Sequence, residues 1–137
     1  NPPNPKVWKV DSREEEMARG LVMYKRDQIT DKNGSVVAPT LSIIYEKLPE
    51  DIDLKEFVAY SRERIPHPVE KELEAPNGAA LLIMRYRERG FEHVFIVGHL
   101  VLSGLGVRIF IDTTPLVYKD VEADWIAFLV SIYLKKE

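Results

Sequence analysis

Cysteine is absent from the sequence. Disulfide bonds, thiolate metal centres and catalysis by a thiol are therefore excluded. The absence does not decide the compartment, because a cytosolic domain and an extracytoplasmic domain stabilised by its core alone both fit it.

Long apolar runs and an excess of positive charge are absent as well. The longest apolar runs, Val94 to Val97 and Ile126 to Ile132, fall well short of the roughly 18 residues that a membrane-spanning helix needs. The chain has 19 Lys and Arg against 22 Asp and Glu, a net charge of −3 and a pI near 5.7. We therefore expect no membrane span and no overall attraction to nucleic acid.

The composition is that of an ordinary globular domain. The chain has 137 residues, of which 45% are hydrophobic and 30% charged, and one domain is the usual outcome at this size. Residues 1–5, Asn-Pro-Pro-Asn-Pro, predict a flexible leader, and residues 6–137 predict a single α+β domain. The leader is typical of a tether behind a cleaved targeting segment, although truncation of the chain explains it equally. We expect an extracytoplasmic location, periplasmic or lipoprotein-anchored, with a cytoplasmic one as the alternative.

The first half of the chain predicts three strands and a helix. Alternating or β-branched residues mark the strands, at Lys6–Val10, Leu21–Asp27 and Thr40–Lys47. The second and third strands are expected to form a hairpin with a long loop that turns at Asn33 and Gly34. The charged segment before Gly20 predicts one helical turn at most. A longer helix begins at Asp53, with Glu56 three residues on, as in a capping box.

The second half predicts a four-stranded meander and a terminal helix. Turn residues separate the strands, at Val69–Glu74, Ala79–Glu88, Phe91–Leu102 and Leu105–Asp112. From Asp120 onward apolar residues recur at helical spacing, at Val121, Trp125, Phe128, Leu129 and Ile132. The sequence thus predicts an antiparallel sheet of about six to seven strands packed with two amphipathic helices, in the order β-β-β-α-β-β-β-β-α. We expect the sheet in two blocks, the three-strand start and the meander.

This order of elements resembles the PsbP/Mog-like fold. The resemblance includes a final hairpin that leads into a Trp-containing helix, Asp120-Val121-Glu122-Ala123-Asp124-Trp125 through Ile132. The resemblance extends from Trp8 to Tyr133 and contains no invariant chemical motif. That superfamily includes the lumenal PsbP proteins of photosystem II, a nuclear Ran-binding import factor and bacterial lipoproteins of the DcrB type. The resemblance implies accessory work by protein–protein contact, usually without catalysis, in a small bacterial secreted or lipoprotein-type domain. No functional residue of the family aligns with a specific position of this chain.

A cluster of arginines is the best candidate for a contact patch. Arg85, Arg87 and Arg89 alternate on one face at the end of a predicted strand, and Arg108 is expected nearby in the meander. Such a cluster suits an anion or an acidic partner. The acidic total favours the alternative, a solvated face balanced by glutamates such as Glu92.

The three histidines show no spacing typical of a metal site. His93 and His99 share one strand face but stand roughly 20 Å apart at ~3.3 Å per residue, so they cannot bind one metal ion together. Either could bind a metal with residues distant in sequence, such as Glu92 or Glu46. We expect instead that one is half-buried and hydrogen-bonded and the other lies near a strand end. His67, between two prolines, is expected to be exposed.

Catalytic and cofactor motifs are not recognisable. The pair Gly104 and Gly106 lacks the third glycine of a dinucleotide-binding turn and leads into a strand. Ser103, His99 and Asp112 could be assembled into a triad from neighbouring strands, but any chain of this length offers such triples. We therefore predict no catalytic, cofactor-binding or metal-binding residue, and no cofactor.

Three functions remain open. The first is a non-enzymatic accessory or binding domain with a protein partner. It is expected to be a monomer or weak dimer that binds no nucleic acid and has no membrane span, and a lipid tether upstream is compatible with it. The second is a small-ligand carrier with an apolar cavity between sheet and helix, lined by residues such as Tyr86, Phe95 and Phe110. The third is a hydrolase with an unrecognised triad.

Overall fold

The computed structural model describes residues 3–49, 51–75, 78–102 and 104–134. Its elements are β1 (Trp8–Val10), α1 (Glu14–Ala18), β2 (Leu21–Arg26), β3 (Ile29–Thr30), β4 (Val36–Val37), β5 (Thr40–Lys47), α2 (Leu54–Arg64), β6 (Lys71–Glu74), β7 (Ala80–Glu88), β8 (Phe91–Leu102), β9 (Leu105–Thr113) and α3 (Tyr118–Leu134). The predicted α+β class is confirmed. The predicted order lacks the five-residue helix α1 and the short strands β3 and β4.

Seven strands form one antiparallel sheet in the order β1-β2-β5-β9-β8-β7-β6, while β3 and β4 pair with each other as a separate hairpin. The predicted long-loop hairpin is confirmed, since β2 pairs with β5. The two expected blocks are a single sheet, because β5 pairs along its whole length with β9. The strands β3 and β4 have two residues each, which is too short to produce a periodic pattern in the sequence.

The helix α3 covers one face of the sheet, called here the α3 face. Buried side chains of the central strands, among them Ile43, Ile96 and Ile109, lie on this face. They pack against four buried residues of the predicted helical stripe, Val121, Trp125, Phe128 and Leu129. The side chain of Ile132, the fifth residue of that stripe, lies outside the described residues. The amphipathic pattern therefore identifies the surface by which this helix docks.

The helix α2 lies on the opposite face, called here the α2 face. Its Val58 packs against Met84 and Val97, which alternate in their strands with residues of the α3 face. The helix begins as predicted, because the Asp53 carboxylate accepts a hydrogen bond from the Glu56 backbone N–H at 2.8 Å. The domain thus has three layers, with one helix on each side of the sheet.

The segment before β1 belongs to the folded unit. The backbone oxygen of Asn4 accepts hydrogen bonds from the N–H groups of Val7 at 3.3 Å and Trp8 at 2.9 Å, and Pro3 is buried. The Trp8 indole N–H donates to the Asp124 carboxylate at 3.0 Å, which ties β1 to α3. Of the predicted flexible leader, Asn4 and Pro5 therefore belong to a hydrogen-bonded turn that extends to Trp8, Pro3 is buried, and residues 1 and 2 lie outside the described part of the chain.

Two strand glycines let the helices approach the sheet closely. A Cβ atom on Gly98 would meet Cδ1 of Leu129 in α3 at 3.2 Å. A Cβ atom on Gly106, on the other face, would meet the ring of Phe57 in α2 at 2.9 Å and Cδ2 of Leu48 at 3.0 Å. These two positions therefore have no room for a side chain unless a neighbour moves.

Replacing Gly106 with alanine should lower the free energy of unfolding by about 1–3 kcal/mol, because an added methyl group in a filled core displaces its neighbours. Phe57 is almost completely buried, so its ring has little space into which it can move. Urea denaturation of wild type and variant measures the effect. Gly98→Ala is the matched control and should cost less, since its new methyl group meets only the ends of leucine side chains, at 3.2 and 3.3 Å. A Gly106→Ala protein as stable as Gly98→Ala would contradict the close seating of α2.

Candidate functional site

The α2 face is only partly covered by its helix. The helix α2 packs on β8, whereas Met23, Ile44 and Phe110 lie further across the same face on β2, β5 and β9 and remain partly exposed. Phe95, at the uncovered end of β8, is partly exposed as well. These four residues define the open region. On the same face, Ser42 lies between Met23 and Phe110, and Arg108, paired with Glu46, lies opposite Ile44, so the open region combines partly exposed apolar side chains with a polar border.

A stack of aromatic rings borders the open region. The rings of His67 and Tyr86 are parallel with centroids 4.0 Å apart, and those of Tyr86 and His93 are nearly parallel at 4.8 Å. Tyr86 also meets Phe95 edge-on at 6.4 Å, and Phe95 lies 5.6 Å from Phe110. These five residues form the ring cluster. Such offset and edge-to-face contacts stabilise one another and hold the rings in fixed positions.

Asp112 connects two members of the ring cluster. The Tyr86 hydroxyl donates to Oδ2 of Asp112 at 3.2 Å, and Nδ1 of His93 lies 2.9 Å from Oδ1. Burial, followed by the negative charge and hydrogen bond of Asp112, raises the pKa of Tyr86. The Tyr86 side chain is therefore a protonated hydrogen-bond donor throughout the physiological range.

A tight turn between β7 and β8 produces this arrangement. Arg89 and Gly90 both have positive φ, of 52° and 83°, as the two central residues of a type I′ hairpin turn require. That turn places Glu88 opposite Phe91 and hence Tyr86 opposite His93. The stacked pair is thus a direct consequence of strand register.

His67 does not occupy the exposed loop position that the sequence predicted. It is partly buried, because the segment after α2 lies against β7 and places the imidazole on the Tyr86 ring. The flanking prolines end the helix, as predicted, but they give no information on the partner of the ring.

A groove runs between the β3–β4 hairpin and the end of the sheet. One cleft, of about 240 Å³, has Val36, Val37 and Ala38 on the hairpin side and Phe91, His93 and Asp112 on the sheet side. A second cleft, of about 320 Å³, shares Phe91 with the first and is also lined by Asp31, Glu92 and Leu116. The two clefts together are called the hairpin groove. The groove opens beside the ring cluster, since His93 and Asp112 belong to both sites.

Three of the predicted arginines lie at the end of β7. Arg85 and Arg87 are on the α3 face, opposite Val94 and Glu92, and Arg89 is in the adjoining turn. The Arg85 guanidinium lies 3.6 Å from the carboxylate of Glu70 and 3.8 Å from that of Glu92. The charge of Arg85 is therefore largely balanced, as the alternative of a solvated face predicts.

Arg108 is separated from these three arginines by the sheet. Its register opposite His99 places it on the α2 face, where its guanidinium lies 2.9 Å from the Glu46 carboxylate. The four arginines therefore do not form one surface. Residue numbers alone could not show this, because the face of a strand residue depends on its register.

His99 is buried under α2 and is hydrogen-bonded on both ring nitrogens. Nδ1 lies 3.1 Å from the Ala80 carbonyl, and Nε2 lies 2.8 Å from the Ser61 hydroxyl, with the Phe57 ring edge-on at 5.5 Å. A neutral imidazole satisfies both contacts, with Nδ1–H donating and Nε2 accepting. The pairing partner of His99 on β9 is Arg108. Asp112 lies four residues further along β9 and contacts His93 instead. His99 and Asp112 therefore do not contact each other as members of a triad would. Ser103, the third residue of that triad, lies outside the described residues.

Neither a cluster of metal ligands nor a membrane-spanning helix is found among the described residues. Within residues 3–49, 51–75, 78–102 and 104–134, no group of three or more His, Asp or Glu side chains converges as metal ligands would. None of the helices in that part of the chain has the length and apolar character needed to cross a bilayer.

Comparison with known proteins identifies the fold. No protein-family model matches the chain, and no curated protein is significantly similar to it in sequence. The crystal structure of PA94, a protein of unknown function from Pseudomonas aeruginosa suggested to be a regulator, superposes with a TM-score of 0.60 at 11% identity over 90% of this chain and 94% of that one. The two proteins share a fold. The solution structure of cyanobacterial PsbP (CyanoP) from Synechocystis sp. PCC 6803 aligns over 87% of each chain at 13% identity, with a TM-score of 0.36, which is too low to support an argument.

Acid should destabilise the domain through His99. Burial, the main cause, lowers its pKa from 6.5 to about 4. Between these values the unfolded chain binds a proton that the folded protein does not, so this contribution to stability is complete above pH 6.5 and is lost as the pH falls towards 4. Urea denaturation between pH 7 and pH 4 should show a loss on the order of 3 kcal/mol from this group.

Two variants separate this effect from other acid-sensitive contacts. His99→Gln removes the titrating ring and should flatten the pH dependence between pH 4 and 6.5. Ile43→Val, which shortens a buried side chain on the α3 face without removing an ionisable group, should destabilise equally at each pH. A His99→Gln protein with the wild-type pH dependence would show that burial of the neutral imidazole is not the cause.

Proposed function

We propose that the protein is a non-enzymatic accessory domain that binds a protein partner through the open region, the ring cluster and the hairpin groove. The observation that carries this proposal is the group of four partly exposed apolar side chains on the α2 face beyond α2. Met23, Ile44, Phe95 and Phe110 lie there at the level of the core, but the described helix on this face packs on β8. A protein surface of this kind would gain burial on binding a partner.

The ring cluster supports the same proposal. Aromatic residues are enriched at protein interfaces, and rings held by their neighbours lose little conformational entropy on binding. Tyr86 is held on both sides, by His67 and His93, and its hydroxyl is fixed by Asp112. The surface is therefore organised before a partner arrives.

A binding role is also supported by how the polar groups of the site are used. His93 and Tyr86 both direct their polar atoms to Asp112, and His99 is enclosed under α2 with Ser61 and Ala80. These contacts stabilise structure. PA94 is suggested to be a regulator, and because that protein shares only the fold with this chain, the comparison serves as an analogy.

The PsbP/Mog-like relationship and a location outside the cytoplasm belong to this proposal as well. The order of elements supports the relationship, and the lipoproteins of that superfamily suggest the location. Expression of the full-length gene product with a C-terminal alkaline phosphatase, which is active only outside the cytoplasm, tests the location. An inactive but intact fusion would count against it.

Site-specific photocrosslinking should identify the partner. With p-benzoylphenylalanine in place of Phe91, irradiation of cells that naturally make the protein should give one defined adduct, because this side chain is 52% exposed at the edge of the groove. The same probe at Tyr60, 46% exposed on α2, is the matched control and should give none.

Competition decides whether an adduct is specific. Excess wild-type protein should abolish it, whereas excess Phe110→Asp protein, with a charge in the open region, should compete at least about tenfold less well, as expected for loss of a central interface residue. Equal competition by both proteins, or equal adducts from positions 60 and 91, would refute the proposed surface.

A further inference from the structure

We infer that the hairpin groove binds an extended segment of the protein partner in which a basic side chain is flanked by apolar residues. This inference rests on the proposed function and specifies the chemistry of the partner. It follows from the juxtaposition, in one groove, of exposed apolar walls and acidic groups.

Apolar side chains surround the groove. Val36 on the hairpin, Phe91 at the start of β8 and Leu116 after β9 are 59%, 52% and 41% exposed. Val36 and Phe91 line the first cleft, and Phe91 and Leu116 line the second. Three large apolar side chains are thus exposed close to one another. They favour an occupant with apolar residues on both sides of its central residue.

The charged residues that line the groove have one sign. Asp112 lines the first cleft, and Asp31 and Glu92 line the second, whereas no Lys or Arg of the described residues lines either cleft. His93 is the remaining ionisable residue there. Its Nδ1 already faces Asp112, and the two side chains are 25% and 31% exposed. Partly exposed carboxylates between low-dielectric walls attract a cation more strongly than fully solvated ones do.

Neighbouring groups reduce this negative charge but do not remove it. The Arg85 guanidinium lies 3.8 Å from the Glu92 carboxylate and offsets its charge from the α3 face. Asp31 accepts hydrogen bonds from the backbone N–H groups of Asn33 and Ser35 at 2.8 and 3.0 Å. Lys32 and Arg89 are adjacent in sequence to lining residues, but neither lines the groove. Among the described residues, Asp31 and Asp112 therefore line the groove without a Lys or Arg in ion-pair contact, and the imidazole of His93 is the basic group beside Asp112, at 2.9 Å.

The size of the groove favours a short peptide segment. Each cleft, of about 240 and 320 Å³, is near the lower limit of the ~300–1,000 Å³ range of pockets that enclose a drug-sized molecule. Because the clefts meet at Phe91, a chain that crosses both can place successive side chains in them. An acidic segment would instead face like charges, and such repulsion suppresses binding.

A charge series of peptides tests the inference directly. Three capped peptides share flanking Leu and Phe residues and carry Lys, norleucine or Glu at the centre. Each is titrated into the ¹⁵N-labelled protein, and binding is followed by amide chemical shifts at low and high salt. The Lys peptide should bind at least about tenfold more tightly than the Glu peptide, with shifts at residues 31–38, 90–93 and 112–116 and with weaker binding at high salt.

Variants of the two acidic residues supply the controls. Asp31→Asn keeps an oxygen acceptor for the turn, and Asp112→Asn keeps one for the Tyr86 hydroxyl. The double variant should lose the preference for Lys over norleucine, with circular dichroism confirming that it folds. Glu63→Gln, at an exposed position on α2, is the matched control and should retain the preference.

The outcomes distinguish this inference from the proposed function. Equal affinity for the three peptides, or chemical-shift changes caused by the Lys peptide centred away from the groove, would overturn the basic-segment inference. The binding role would still stand if wild-type protein competed in the crosslinking experiment and Phe110→Asp protein did not. Failure of both experiments would refute both. A Lys preference that persists in the double variant would assign the recognition to other groups and would also overturn the inference.

Discussion

The pairing of β5 with β9 is the contact on which the rest of the structure depends. It joins eight residue pairs, from Thr40 opposite Asp112 to Lys47 opposite Leu105, across a large separation in sequence. Without it the early strands and the meander would be two local units, each with an exposed edge. With it, α3 packs on residues from both units, and the groove acquires Thr40 from one and Asp112 from the other. Because this contact closes a long loop, we expect it to form late in folding relative to the hairpins of the meander.

Much of the fold was predictable because the main elements are long and their ends carry clear signals. The strand Phe91–Leu102 and the start of α2 after Asp53 match the predicted positions. The β3–β4 hairpin was missed because a two-residue strand has no period, and α1 was recognised only as a helical turn. The faces chosen by α2 and α3 were not predictable from amphipathicity, which shows which side of a helix is buried but not the surface that buries it. Gly98 lies under α3 and Gly106 under α2, but this is evident only from the structure.

The site was less predictable than the fold, for reasons of register and of long-range packing. The stacking of Tyr86 on His93 follows from the turn at Arg89 and Gly90, so the sequence contained a usable signal for it. The prediction that one histidine would be half-buried and hydrogen-bonded describes His93, whereas His99 is fully buried rather than placed near a strand end. The position of His67 on Tyr86 had no signal, since it depends on the path of a loop after α2. The grouping of Arg108 with the other arginines failed because β8 separates β9 from β7 and because the register of Arg108 places it on the opposite face from Arg85 and Arg87.

The β3–β4 hairpin has a consequence for how this protein can diversify. Its two strands pair with each other and with no strand of the main sheet, and its turn is closed by hydrogen bonds to Asp31. One side of the groove is therefore formed by an insertion between β2 and β5. These two strands pair directly with each other, without the insertion. Such an insert can be lengthened, shortened or exchanged at little cost to the scaffold. With the proposed function, exchange of this one hairpin would change a wall of the binding groove and leave the pairing of the sheet intact.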